Sequence, residues 1–201
     1  MNPMETTIQN LKSRGFAVSH FAAKEQAAAY LLAQIGDLSV GIGGSVTIDQ
    51  LGIYDTLKTR GDVFWHWHGD MPKDVAIQGA QQASVYLMSA NALSQSGQII
   101  NIDGYGNRVQ RMCFGHERLY IVCGMNKIAP NDKLALWRAR NVAGPKNVRR
   151  LGKNAPCAKG EIKCHDCNSP DRICCVFVTL ECPPTGIEHV EIILIDEALG
   201  F

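Results

Sequence analysis

Strand-like and helix-like segments alternate along most of this chain, and few architectures accommodate that order. Glu5–Arg14 reads as a helix stopped by Gly15, and Ala17–Phe21 as a short strand. Ala22–Ile35 is a helix closed by Gly36; its Lys24, Glu25, Gln26 and Gln34 leave one apolar face, as on a surface helix. Leu38–Ile42 is strand-like, followed by a helix over Val46–Thr59 that Gly61 ends. Val63–His68 and Val85–Ser89 are strands on either side of a helix at Asp74–Ala83. Gln98–Ile102 is a strand, Val109–Phe114 a short helix, and Leu119–Val122 the clearest buried strand. Asp132–Val142 is an amphipathic helix ended by Gly144-Pro145, with a short basic helix at Lys146–Leu151 beyond it. Val176–Leu180 and Val190–Ile195 read as a closing pair of strands. This order predicts an α/β fold: a mainly parallel sheet with helices on both faces. With no internal repeat or low-complexity linker, residues 1–201 are expected to form one domain, with a Cys-rich segment at about 155–176 as an appendage beyond Gly144-Pro145.

The composition, 46% hydrophobic and 19% charged, is that of a chain able to bury a core of its own. A formal net charge of +1 supplies no overall field for nucleic acid or an acidic membrane, so neither is expected as a partner. The polar start, Met1–Gly15, lacks the apolar stretch of a signal peptide, and no apolar run is long enough to span a bilayer. A cytoplasmic protein is expected; self-association to a homo-oligomer is left open.

Eight cysteines are unusual for such a chain, and six of them fall in its last quarter. Without an export signal, a reducing compartment with clustered thiols held by metal is a better reading than disulfides. Cys157, Cys164, Cys167 and Cys174 give the spacing C-x6-C-x2-C-x6-C. The two-residue gap in Cys164-His165-Asp166-Cys167 lets both thiolates grip one centre, and the outer pair completes four-fold coordination. Thiolates suit zinc or a [4Fe–4S] cluster, and spacing alone does not separate them. Lys159, Lys163 and Arg172 would offset part of the thiolate charge. The competing reading is a loop packed with free thiols. Cys175 and Cys182 read as spare, although Cys175 adjoins Cys174; Cys113 and Cys123, in apolar stretches, read as core thiols.

Two Gly-rich turns follow predicted strands. In Gly41-Ile42-Gly43-Gly44-Ser45-Val46-Thr47 the glycines permit close approach to a ligand. A following helix start offers free N–H groups to a carboxylate or phosphate, with Ser45 and Thr47 adding hydroxyls. The run is neither a Walker loop nor the usual dinucleotide fingerprint, and the alternative is a plain strand–helix turn with Ser45 as N-cap. In Asn101-Ile102-Asp103-Gly104-Tyr105-Gly106-Asn107-Arg108, Asp103 is the candidate base, Asn107 offers donors and acceptors, and Arg108 can grip an anion. The alternative is a turn satisfied by its own Asp and Asn. Together the two turns predict a pocket for a small anionic substrate at the carboxyl ends of the strands.

His66 and His68 would share one face of a strand, as a metal pair or pocket lining, though ordinary hydrogen-bonded histidines are commoner there. His116 reads as a turn residue. Arg138, Arg140, Lys146, Arg149 and Arg150 read as a solvated helix face or a docking surface for an acidic partner.

Several of these runs together resemble the LUD domain of lactate-utilisation proteins. They are Val40–Thr47 with Asp49 and Gly52, Ser89-Ala90-Asn91-Ala92-Leu93 with Gly97, Asn101–Arg108, Val122–Ile128 and Ala139–Pro145. The resemblance implies a fold similar to the NagB/RpiA/CoA-transferase group, in which the first Gly-rich loop contacts anionic substrates. It thereby points to Gly43, Gly44, Ser45 and Thr47, and by fold-level analogy with the related sugar isomerases to Asp103. Family members act with iron–sulfur partner proteins in oxidising lactate to pyruvate. The Cys-rich tail departs from the simplest members and looks like that of a subgroup of small stand-alone LUD proteins. The implied function is a redox subunit in the oxidation of lactate or a related hydroxy or oxo acid, with a four-Cys metal or iron–sulfur site. The alternative is a non-redox binding or regulatory module for a sugar phosphate or acyl-CoA, with structural zinc.

Overall fold

The computed structural model describes residues 2–201, and its centre is a six-stranded, all-parallel sheet. Its strands are β1 (Ala17–Phe21), β2 (Val40–Ile42), β3 (Val63–Phe64), β4 (Val85–Ser89), β7 (Arg118–Gly124) and β10 (His189–Ile195), in the order β1-β10-β7-β4-β2-β3. A second sheet, β8-β5-β6-β9, is built from β5 (Ala92–Ser94), β6 (Ile99–Asp103), β8 (Ile128–Ala129) and β9 (Val176–Leu180). The predicted pairing of the last two strands is therefore wrong. β10 enters the main sheet parallel between β1 and β7, whereas β9 pairs antiparallel with β6.

The central strands bury both faces, which is why they read as continuous apolar runs. Val85, Leu87, Tyr120, Val122, Ile193 and Ile195 point into one core, against α2 (Lys24–Ile35), α3 (Val46–Asp49) and α4 (Tyr54–Lys58). Their neighbours Tyr86, Met88, Leu119, Ile121, Ile192 and Leu194 point into the other. There they meet α1 (Pro3–Ser13), α5 (Lys73–Gln82), α6 (Asn107–Arg111) and the second sheet. On α2 the buried residues Ala27, Ala28, Leu31 and Ile35 recur at helical spacing, the single apolar face read from the sequence.

Three local expectations change. The helix expected over Val46–Thr59 is two short helices, because Gly52 takes φ +65° between them. The strand expected over Val63–His68 stops at Phe64. The chain does not break at Gly144-Pro145: α7 (Asp132–Arg138) passes through a π-helical turn at Ala139–Ala143 into α8 (Gly144–Arg150). Pro145, which has no N–H to donate within this continuous helical run, stands just after the π-helical turn. Among the described residues, no helix is long and apolar enough to cross a membrane.

Candidate functional site

All strands of the main sheet run the same way, so their carboxyl ends open on one edge. Successive connections leave β2 toward β3 and β4 toward β7, in opposite directions across the sheet, which places a topological switch point between β2 and β4. The segments leaving β2, β4, β7 and β10 meet there around a small cavity of about 40 Å³. Gly44, Ser45 and Thr47 line it from β2, Ser89 and Asn91 from β4, Lys127 from β7, and Gly200 and Phe201 from β10. Arg108 reaches the same cavity from α6.

Lys127, which the sequence reading did not single out as a site residue, is the central polar group. It is 3% exposed. Its Nζ donates to Thr47 Oγ1 at 2.7 Å and Ser89 Oγ at 2.6 Å. No carboxylate pairs with it among the described residues. Burial pushes its ammonium down from 10.5 to about 8, with Arg138 and Arg108 adding to the effect and Cys123 opposing it. The available signal was positional: a lysine three residues past a buried central strand of a parallel sheet stands at the edge where open sheets bind ligands.

Ser45 does what its alternative reading expects, capping α3 by accepting from Ile48 N at 3.3 Å, while still bordering the cavity. Because α3 is only four residues long, the positive potential here comes from Lys127 and Arg108 rather than from an extended helix. Gly43 does not line the cavity. A Cβ there would lie 3.0 Å from the Tyr86 hydroxyl and 3.2 Å from Arg108 Cγ, so the glycine makes room for Arg108 to lie across the strand end. Gly44 does the same for Trp67, with Nε1 2.8 Å from the Cβ position.

The second Gly-rich turn stands beside the first. Asp103 accepts from the backbone N–H of Tyr105 at 3.2 Å and of Arg108 at 3.0 Å, and lies 3.6 Å from Arg108 Nε. Arg108 also makes long bonds to Asn101 Oδ1, Ile102 O and Gly44 O, at 3.3, 3.2 and 3.4 Å. Asp103, Asn107 and Arg108 border a larger open groove of about 430 Å³ that shares Gly44, Trp67 and Arg108 with the inner cavity. Lys73, Arg150, Lys153 and Arg172 add further cations to this groove. His66 lines it too; burial, followed by the charges of Lys73 and Arg108, lowers its pKa. His68 turns away to stack on Tyr54 at 3.7 Å, so the expected same-face histidine pair does not form. His116 is buried and held by Ala83 O at 2.7 Å.

The basic residues near α8 are not a free docking face. Arg138 donates to the backbone carbonyls of Asn126, Asn91 and Phe201, joining three of the loops that shape the cavity. Arg150 lies over Trp67, 4.5 Å from the ring centre. Arg140 packs on Phe177 and reaches Asp166 at 3.4 Å, and Arg149 donates to Ala158 O and Gly160 O. They pin down the Cys-rich segment, whose only regular element is a turn of 3-10 helix at Pro156–Ala158.

Cys157, Cys164, Cys167 and Cys174 all line one further cavity, floored by Ile102, Val148 and Phe177. The Cys164-His165-Asp166-Cys167 turn is closed by an N–H···S bond of 3.4 Å from Asp166 N to Cys164 Sγ. Asp166 adopts φ +44°, the one non-glycine with positive φ among the described residues. Arg172 bridges Cys167 O and Cys174 O at 2.9 and 3.0 Å, placing a guanidinium beside the thiols. Burial, then the neighbouring Cys167, raises the Cys157 thiol pKa. None of the four is in a disulfide. The side chains face the cavity without being drawn in, among the described residues, to a ready ligand set of three or more. The donor types, the shared cavity and the N–H···S turn fit a thiolate-bound metal. Cys175 and Cys182 are exposed, Cys123 is fully buried, and Cys113 packs at the margin of the second core.

A parallel sheet covered on both faces, with a polar cavity at its switch point, defines an α/β domain of the open-sheet kind. The LUD domain family matches residues 4–195, and the chain belongs to that family. Among solved structures, the crystal structure at 1.70 Å of a DUF162 family protein from Deinococcus radiodurans is similar over 96% of each chain, with a TM-score of 0.55 at 12% identity. That likeness concerns the fold. No curated protein matches the chain.

Proposed function

We propose that this LUD-domain protein binds a small 2-hydroxy or 2-oxo acid at the strand-end cavity and acts as a redox subunit in the oxidation of lactate or a related acid. In this reading Cys157, Cys164, Cys167 and Cys174 hold an iron–sulfur cluster or zinc. The observation that carries it is the adjacency of two centres. The groove opening from the Lys127 cavity and the four-thiol cavity share Ile102 and Ile173 as a common wall. Arg108 supplies a forked donor for a carboxylate, its present bonds being long enough to exchange for an anion. Ser45 and Ser89 offer hydroxyls to the substituent on C2, and Lys127 supplies positive charge where no carboxylate competes. Asp103 is the candidate base, held beside Arg108. Bound at the four cysteines, an iron–sulfur cluster would supply one-electron transfer, whereas zinc would supply only a fixed crosslink. Iron–sulfur partner proteins belong to this reading through the family resemblance.

The groove favours a second reading. Lys73, Arg108, Arg150, Lys153 and Arg172 border it with Asp103 as the one carboxylate, which suits a phosphorylated ligand such as a sugar phosphate or acyl-CoA. The protein would then be a non-redox binding or regulatory module with structural zinc. Protein purified without oxygen separates the two. Iron and sulfide in stoichiometric amounts, with thermal stabilisation by lactate or pyruvate, support the redox subunit. Stoichiometric zinc in colourless protein, with stabilisation by phosphorylated ligands alone, overturns it in favour of the second.

A further inference from the structure

The nitrogen of Lys127 is arranged as a nucleophile. Two of its three free tetrahedral positions are taken by Thr47 Oγ1 and Ser89 Oγ, and it makes no third hydrogen bond among the described residues. Both partners are hydroxyls, which can accept hydrogen bonds from the two N–H groups of a neutral amine and, unlike a carboxylate, bring no negative charge that holds the nitrogen protonated. Space beside it is kept open by Gly200: a Cβ there would fall 2.4 Å from Thr47 Oγ1 and 3.3 Å from Lys127 Nζ. Arg108 lines the same cavity and can hold a carboxylate. We propose that Lys127 forms a reversible imine with the carbonyl carbon of a 2-oxo acid bound in this cavity. The proposal deepens the acid-binding reading above and rests on it.

The chemistry balances without an oxidant or reductant. The Nζ lone pair adds to the carbonyl carbon while the carbonyl π electrons move to oxygen. One nitrogen proton passes to that oxygen, giving a neutral carbinolamine. Protonation of its hydroxyl releases water, and the nitrogen lone pair closes the C=N bond as an iminium. Hydrolysis restores lysine and acid. Lowering of the ammonium pKa by burial keeps a usable fraction of free amine near neutral pH.

Pyruvate and sodium cyanoborohydride, added to the full-length protein, would reduce the imine to a stable secondary amine that peptide mass spectrometry can locate. The expected result is one adduct per chain on Lys127, lost in Lys127→Arg and retained in the exposed-site control Lys133→Arg. Binding of lactate, which has no carbonyl, is measured in parallel by calorimetry on wild type. Lactate binding without Lys127 labelling overturns the imine and leaves the acid site standing. No binding of either acid overturns both. Labelling spread over surface lysines and unchanged in Lys127→Arg also overturns the imine.

Discussion

Lys127 Nζ and Ser89 Oγ, 2.6 Å apart, join the ends of two neighbouring central strands through a buried amine that has no acidic partner among the described residues. Charge in that position is held at a cost. Folded Lys127 releases its proton near pH 8, whereas an unfolded lysine does so near 10.5. Below pH 8 both states carry the proton, and the whole cost, about 3 kcal/mol, weighs on the fold. Between those pH values the unfolded chain holds more protons, so stability rises with pH. Lys127→Met lacks this group. In urea titrations, the wild type is expected to gain about 3 kcal/mol on the variant as pH goes from 8 to 10.5. A constant difference would mean that the amine is not buried as described.

Arg138 makes a second kind of demand on the same loops. Its guanidinium serves Asn126 O at 2.8 Å, Asn91 O at 2.5 Å and Phe201 O at 3.3 Å. Arg138→Met leaves these carbonyls without their donor and is expected to destabilise the protein by about 3 kcal/mol in urea unfolding. Arg138→Lys, with a point charge in place of a fork, should recover only part of that loss. Acid affinity should fall in both variants, because the three loops no longer share an anchor.

What the sequence disclosed follows from what each residue needs locally. Val85–Ser89 was legible to the residue as a strand, and Leu119–Val122 lies within a longer one, because strands buried on both faces must be apolar throughout; Ala17–Phe21, an edge strand with no fully buried residue, keeps its expected bounds without that signal. The three-residue β5 carries too little pattern to read, and the partner of Val176–Leu180 is set by tertiary packing that no local signal reports. Gly44, Ser45, Thr47 and Arg108, picked out by their glycine turns after strands, do line one cavity. Lys127 was not, since its character depends on burial against Thr47 and Ser89, 80 and 38 residues away. His66 and His68 were paired on the assumption of a strand that ends at Phe64.

Gly41 tests the packing that sets the site's rear wall. A Cβ on it would lie 2.7 Å from Ala80 O and 2.9 Å from Ala80 Cα, so β2 and the backbone of α5 touch where the glycine sits. Helix backbone cannot give way as a side-chain tip can. Gly41→Ala is expected to cost about 3 kcal/mol in urea unfolding. Gly69→Ala, with open space around the added methyl, should cost well under 1 kcal/mol and serves as the control.

The thiol cavity and the open groove share Ile173, which packs on Gly104, and their coupling can be measured. A Cβ at Gly104 would meet Ile173 O at 3.0 Å and Ile173 Cα at 3.1 Å, backbone against backbone, one residue before Cys174. Ile173 also belongs to the wall shared by the groove and the thiol cavity. If the four cysteines hold a metal, the segment from Gly152 to Cys175 is ordered chiefly by it, since a single 3-10 turn is its only regular element. Removing the metal with a chelator, or Cys164→Ser with Cys167→Ser, is then expected to open this segment to limited proteolysis while the parallel sheet keeps its far-ultraviolet circular dichroism. Gly104→Ala should produce a milder form of the same change: metal retained but lost faster to chelator, and acid binding weakened several-fold because the Asp103–Arg108 turn is displaced. Proteolysis unaffected by chelator and by both cysteine substitutions would show that Arg140, Arg149 and Arg172 order the segment without metal.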